Sequence, residues 1–190
     1  DRIKVVQETL NRKKYRSYLE IGCFRDELFG NIKCEKKVGV DPYLGGTIRK
    51  TSNEFFSTNK ENFDLIFIDG LHRYHQVKKD ILNSLKILNS DGVIMLHDCL
   101  PNNVYDQAIP RCKYTWNGDV WKAIVDLRRD PNLEIFTCLS DEGISIIQNK
   151  KNSNILKIYK KISEIKFKDF YYNHQEYMRI ISFDQFKEKY

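Results

Sequence analysis

No apolar run in the 190-residue sequence approaches the roughly 20 residues that a membrane-crossing helix needs; runs such as Leu65 to Ile68 and Val93 to Leu96 are far too short. A disulfide framework is also missing. The five cysteines (Cys23, Cys34, Cys99, Cys112 and Cys138) are odd in number, scattered and never spaced C-x-x-C, which excludes a zinc knuckle as well. Residues 2–14 carry Arg2, Lys4, Arg12, Lys13 and Lys14 without the apolar stretch of a signal peptide, so a soluble protein of the reducing cytoplasm is expected. Charge of one sign is not concentrated in the body. The 32 Lys and Arg against 26 Asp and Glu leave +6, but residues 151–190 hold nine basic and five acidic side chains, and the first 150 residues keep only +2. Such a balance argues against nucleic acid as partner, because Lys pairs such as Lys150-Lys151 usually mark solvated faces.

What is present is an alternation of short apolar runs with helix-period segments, the pattern of a parallel sheet with crossover helices. A helix is expected over 2–13, strands at Tyr18 to Ile21 and Lys37 to Val40, a weak strand near Thr47 to Arg49, and short helices near Asp26 to Ile32 and Asn53 to Thr58. Phe63 to Ile68 reads as a strand buried on both faces. The next helix places Val77, Ile81, Leu85 and Leu88 on one stripe, and a turn at Asn89 to Gly92 leads to a strand at Val93 to Leu96. Residues 99–118 lack periodicity, as functional lids do. A helix capped by Asp119 runs to about Arg129; Leu133 to Leu139 and Gly143 to Gln148 form an antiparallel hairpin; 155–190 is expected to be helical, with Ile155, Ile158, Tyr159 and Ile162 on one stripe. The fold class is α/β, a doubly wound, mostly parallel seven-stranded sheet with an antiparallel last strand and C-terminal helices.

In such a sheet ligands bind beyond the carboxyl ends of the strands. Those ends carry Glu20 and Gly22, Asp41, Ser52, Asp69 with His72, and His97 with Asp98. The Gly-x-Gly-x-x-Gly turn of a dinucleotide site is absent: Gly22 is followed by Cys23, Phe24, Arg25, Asp26 and Glu27, and a pyrophosphate would meet two carboxylates. An acidic first loop suits a cationic ligand, and Asp41 has the position of a carboxylate that accepts ribose hydroxyls. An adenosyl group with an amino-acid tail and a sulfonium meets both conditions.

YLEIGC at 18–23, KVGVDP at 37–42, FDLIFIDGLHRY at 63–74 and GVIMLHDCLP at 92–101, with the closing hairpin, resemble the motifs of class I S-adenosylmethionine-dependent methyltransferases. IDGLH and HD are similar to a bacterial branch of small O-methyltransferases, often tied to sugar or natural-product modification, and to metal-dependent catechol-type enzymes. The resemblance implies a cofactor domain over 1–150 with a helical extension at 151–190 packed on it. It implies S-adenosylmethionine held by Glu20, Gly22, Cys23, Asp41, Pro42, Ser52 and Asp69. Asp26 departs from the family, which usually has glycine there.

In the catechol-type enzymes, acidic and amide residues at the places of Asp69, His97 and Asp98 hold a metal. Two carboxylates suit Mg²⁺, whereas the imidazole suits Mn²⁺, Fe²⁺ or Zn²⁺ better, so metal assistance stays open. His72 stands where those enzymes carry a lysine base, and an imidazole can accept the proton at neutral pH. The catalytic candidates are His72 as base, His97 as second choice, and Asp98. The expected activity is O-methylation of a small or carbohydrate acceptor; the alternatives are an RNA methyltransferase and a non-catalytic adenosyl-binding module. Trp116 and Trp121, near Arg111 and Lys113, read equally as core anchors or as a sugar platform. The aromatic tail reads as a cover for the acceptor site or a homodimer contact.

Overall fold

Arg2–Lys13 forms helix α1 in the computed structural model, which describes residues 1–189. The Asp1 side chain accepts the N–H of Ile3 at the start, and Lys14 ends the helix in the left-handed conformation. Val5, Val6 and Leu10 are buried on one face.

The sheet is built from β1 (Ser17–Ile21), β2 (Lys36–Val40), β3 (Phe63–Ile68), β4 (Leu88–Leu96), β5 (Leu133–Cys138), β6 (Ile144–Asn149) and β7 (Ile180–Ile181), in the order β2-β1-β3-β4-β6-β5-β7. Pairing is parallel from β2 through β4; β6 runs antiparallel to both neighbours, and β7 lies parallel to β5. The seven-stranded, doubly wound sheet is thus the expected one. The apolar run of β3 divides by strand alternation. Phe63, Ile66 and Ile68 join one core, and Leu65 and Phe67 the other. Helices α2 (Ser52–Thr58), α3 (Tyr74–Lys86) and α4 (Trp121–Leu127) cover the first core, while α1 and Phe186 cover the second. Each fully buried side chain of this kind contributes about 1.5–3 kcal/mol. No helix among the described residues is long and apolar enough to cross a membrane.

Several local expectations are corrected. Residues 24–31 form successive turns and no helix, because Phe24 and Asp26 both have positive φ, which an α-helix cannot accommodate. The strand near Thr47 shrinks to a single bridge between Val40 and Ile48. Leu88 is the first residue of β4, and Asn89 to Gly92 extend that strand across a register irregularity opposite Phe63 to Leu65, tied by Asn89 Nδ2 to Asp64 Oδ1 at 2.6 Å. Asp119 does not cap α4; its Oδ1 accepts the Tyr74 N–H at 2.6 Å and so fastens the end of the lid to the start of α3.

The tail is helical only in part. Ile155 and Tyr159 are exposed on an irregular segment, and helices α5 (Phe167–Met178) and α6 (Phe183–Lys189) follow a short 3₁₀ turn at Ile162–Glu164. The seventh strand, β7, comes from this tail, where Arg179 at φ 47° ends α5 and the β-branched pair Ile180 and Ile181 adds to the edge of β5.

Candidate active site

The strand order reverses between β1 and β3, and two clefts open beyond the carboxyl ends there. The first, of about 460 Å³, has Asp41, Pro42, Ser52 and Asp80 in its walls. The second, of about 570 Å³, runs past Glu20 and Cys23 to His72, His97, Asp98 and Trp116. They meet along Gly22, Phe24, Asp69, Gly70 and Leu71. Gly22 has φ 87°, and a Cβ there would stand 2.2 Å from the Asp69 carbonyl oxygen, so only glycine lets the end of β1 pass the end of β3.

The first loop keeps a glycine-like path without the glycines. Phe24 at φ 46° and Asp26 at φ 60° follow Gly22 in left-handed conformations. Asp26 is fixed by its Oδ1, which accepts the Gly46 N–H at 2.7 Å, and acidic residues of this kind tolerate that region. The departure at Asp26 therefore leaves the backbone course intact.

Asp41 organises the neighbouring loops. One carboxylate oxygen accepts the N–H groups of Cys23 and Phe24 at 3.1 and 2.9 Å, the other those of Tyr43 and Leu44 at 2.8 and 2.9 Å. Burial works against its charge, but these four bonds outweigh it and hold the pKa below the ordinary value. They also fill the roughly four lone-pair sites of a carboxylate, so a ribose contact requires one of them to yield. Ser52 Oγ accepts from Gln76 Nε2 at 3.1 Å, and the same amide reaches buried Asp80 at 2.8 Å. Burial raises Asp80 to about 6 against the hydrogen bonds from Ser52 and Gln76. Glu20 is buried and accepts the Tyr18 hydroxyl. Burial pushes it up to about 8, the Tyr18 bond moderating the rise and Asp69 adding to it.

The third group lies at the ends of β3 and β4. Donor atoms of Asp69, His72 and Asp98 all fall within 4.8 Å of one another, with the geometry to hold a metal ion. His97, expected in this set with Asp69 and Asp98, lies beside it, its Nδ1 3.3 Å from Asp69 Oδ1 and 3.5 Å from Asp98 Oδ1. His72 Nδ1 is 2.8 Å from the Trp116 carbonyl oxygen and 3.1 Å from Asp98 Oδ2, while Nε2 is 3.5 Å from Asp69 Oδ1. Burial disfavours its imidazolium, yet the Asp69 and Asp98 carboxylates outweigh burial and raise its pKa. His97 is buried, with Nδ1 3.3 Å from the same Asp69 oxygen and Nε2 3.8 Å from Asp141 Oδ1, a charge contact too long for a hydrogen bond. Burial opposes its charge too, but Asp69 and Asp141 hold it well above the ordinary histidine value. Asp69 is correspondingly depressed, His97 and His72 overcoming the effect of its burial.

Sequence reasoning missed three participants. Asn117 is buried in the lid, and its Nδ2 spans Asp98 Oδ1 at 3.2 Å and Glu142 Oε2 at 3.3 Å. Asp141 enters from the β5-β6 turn, a place visible only once β6 is paired beside β4. Arg2, at the start of α1, lines the second cleft and bonds Glu27 at 3.3 Å. Of the two tryptophans, Trp121 is fully buried as a core anchor, while Trp116 stacks on His72.

Comparison with known proteins agrees with this geometry. Residues 31–99 match the family described as "Methyltransferase domain". No curated protein is significantly similar in sequence. Among solved structures, the chain is similar to the S-adenosylhomocysteine-bound methyltransferase PaMTH1 of Podospora anserina, at 18% identity and TM-score 0.58 over 79% of this chain and 78% of that one. It is similar to a putative caffeoyl-CoA O-methyltransferase from Staphylococcus aureus (15%, 0.55, covering 80% and 83%) and to an O-methyltransferase from Bacillus cereus in complex with S-adenosylhomocysteine (14%, 0.55, covering 78% and 80%). Residues 31–99 thus match a methyltransferase domain, and the chain as a whole shares the fold of these methyltransferases.

Proposed function

We propose that the protein moves the methyl group of S-adenosylmethionine to a hydroxyl oxygen of a small, polyhydroxylated acceptor such as a sugar, with a divalent cation held by Asp69, His72 and Asp98. The convergence of these three side chains in the second cleft, with Asp69 at its seam with the first, is the observation that carries the reading.

The residues present fit the cofactor. The first cleft offers Pro42 and Ser52 to an adenosyl group, and the second offers Glu20 and Asp69 to an ammonium and Arg2 to a carboxylate. Bound there, S-adenosylmethionine supplies a methyl carbon already activated by the sulfonium. The protein must then align the acceptor oxygen and dispose of its proton. Asp69, His72 and Asp98 also fit a cation, and the imidazole in the set favours Mn²⁺, Fe²⁺ or Zn²⁺ over Mg²⁺. A cation at this place supplies a lower pKa to a coordinated hydroxyl. Asn117 steadies Asp98, and the Trp116 carbonyl holds His72 through Nδ1, so Nε2, on the Asp69 side, would be the atom a cation takes up once the ring is neutral. Tyr114 and Asn117 in the second cleft suit a ring that carries hydroxyls.

The same lining disfavours RNA. Glu27, Asp69, Asp98, Asp141 and Glu142 offset Arg2, Arg25, Arg111 and the two histidines, which leaves no basic stripe for phosphates.

Protein stripped of metal with excess chelator is to be assayed with S-adenosylmethionine and a panel of sugars and diphenols. Loss of methyl transfer and its return with Mn²⁺ is the expected outcome. Undiminished transfer under chelator would end the metal part and return His72 to the role of general base.

A further inference from the structure

Among the described residues, the C-terminal tail contributes nothing to either cleft at the strand ends. It builds a third cavity instead, of about 630 Å³, between the start of α5 and the loop of residues 99–118. Val104 and Gln107 form the wall on the loop side. Phe167, Tyr171 and Tyr172, with Lys166 and Lys168, form the wall on the α5 side. Tyr171 and Tyr172 are exposed, Tyr172 to 81%, and their rings stand edge to face with centroids 5.4 Å apart. Phe167 extends the row, its ring centroid 6.3 Å from that of Tyr171. A row of aromatic rings left on the surface beside a concave wall is characteristic of a binding surface. The charge of the cavity has one sign. No carboxylate among the described residues lines it, and Asp169, the next residue of α5, is engaged by Lys160 Nζ at 3.0 Å and by the Lys166 N–H at 2.9 Å.

Resting on the sugar-acceptor reading, we propose that this cavity binds an anionic oligosaccharide, the part of the acceptor chain that lies beyond the methylated unit. The faces of sugar rings carry C–H groups that stack on the negative face of an aromatic ring, and the lysines answer acidic groups on the chain. Continuity with the active site runs through the loop. Trp116 stacks on His72, and its Nε1 donates at 2.7 Å to the carbonyl oxygen of Ala108, the residue after Gln107 of the cavity wall. A second copy of this chain fits less well, because a two-fold contact through this face brings Lys166 and Lys168 toward their own equivalents. A single-stranded nucleic acid needs cations along its backbone, and the loop wall offers it only Val104 and Gln107.

The test is calorimetry with hexagalacturonate, galacturonic acid, neutral maltohexaose and hexauridylate, and separately with S-adenosylhomocysteine, on the wild type, Tyr172→Ala and the double variant Lys166→Gln/Lys168→Gln. The wild type is expected to bind hexagalacturonate about tenfold more tightly than the other three probes of the cavity. Tyr172→Ala is expected to weaken hexagalacturonate about tenfold, and the lysine variant to weaken it similarly and to lose most of the salt dependence. All three positions are exposed, so Tm is expected to stay within about 2 °C and S-adenosylhomocysteine affinity within about twofold. Hexagalacturonate that does not bind, binds no more tightly than maltohexaose, or binds both variants as it binds the wild type overturns the proposal; the methyltransferase reading stands as long as S-adenosylhomocysteine binds. Tighter binding of hexauridylate gives the cavity to nucleic acid, and a wild-type dimer in sedimentation that Tyr172→Ala abolishes gives it to a second copy; either overturns the proposal. Failure of the wild type to bind S-adenosylhomocysteine overturns the methyltransferase reading, whichever way the oligosaccharide titration falls.

Discussion

His72 is held by Trp116 twice over: the rings stack with centroids 5.4 Å apart at 20°, and His72 Nδ1 lies 2.8 Å from the Trp116 carbonyl oxygen. The loop before α4 thereby sets the orientation of a side chain carried by the loop after β3. Gly118 closes the arrangement, since a Cβ there would stand 1.8 Å from the His72 carbonyl oxygen. Replacing Trp116 by alanine keeps a carbonyl but releases the ring. Mn²⁺ affinity, followed by calorimetry, is expected to fall about tenfold, the effect of losing a group that orients a metal ligand. An unchanged affinity would show that Asp69 and Asp98 alone position the ion.

Glu20 gives a pH dependence of defined sign. Its carboxyl rises to about 8, chiefly through burial, so between its unfolded value and about 8 the native state holds a proton that the unfolded chain has released. Stability attributable to Glu20 is therefore full below the unfolded pKa of about 4.3 and declines as pH rises toward 8. Glu20→Gln keeps an acceptor for the Tyr18 hydroxyl and removes the titration. Urea unfolding at pH 5 and pH 8 should show the wild type losing up to a few kcal/mol more than the variant over that interval. Parallel losses in the two proteins would contradict the assignment.

Strand ends were legible in the sequence because strands buried on both faces are apolar, and polar residues such as Asp69, His97 and Asp98 stand out where they stop. Local helix and turn assignments failed where side chains bond across the fold. Asp119 reads as a helix cap from its neighbours, yet it bonds Tyr74, 45 residues away. Nothing local marks Asn117 or Asp141, which reach the site only because the lid and the β5-β6 turn return to the end of β4. The convergence of His72 on Asp69 and Asp98 has the same origin. Sequence order puts His97 beside Asp98, but the strand buries its ring, whereas the loop after β3 brings His72 back to Asp98 Oδ2 at 3.1 Å.

One of the cations that fasten the C-terminal tail is buried. Arg128 is 1% exposed and donates to the carbonyl oxygens of Glu176, Tyr177 and Asn154, so it ties α4 to the last turn of α5 and to the irregular segment before it. Burial lowers its pKa to about 10, which still leaves it charged at neutral pH. Arg128→Met fills much of the space and strands these acceptors without donors. Such a loss costs about 3 kcal/mol, which for a chain of this size lowers Tm by about 6–12 °C. Scanning calorimetry checks the number, and a shift under 2 °C would mean that β7 and the apolar contacts of Phe170 and Met178 hold the tail unaided.

The metal binding proposed for Asp69, His72 and Asp98 carries a pH dependence with a sign fixed by His72. An imidazole coordinates only when neutral, and the carboxylates of Asp69 and Asp98 favour its protonated form, raising its pKa above the ordinary 6.5 despite burial. A proton and a cation therefore compete for one site. Mn²⁺ affinity is expected to rise as pH increases from 6 to 8.5, approaching tenfold per pH unit below the raised pKa and levelling off above it. His72→Gln offers a neutral ligand that does not titrate; it should bind more weakly at high pH and lose most of the dependence over the same interval. Calorimetric titrations at four pH values separate the two proteins, and a wild-type affinity flat from pH 6 to 8.5 would remove His72 from the ligand set.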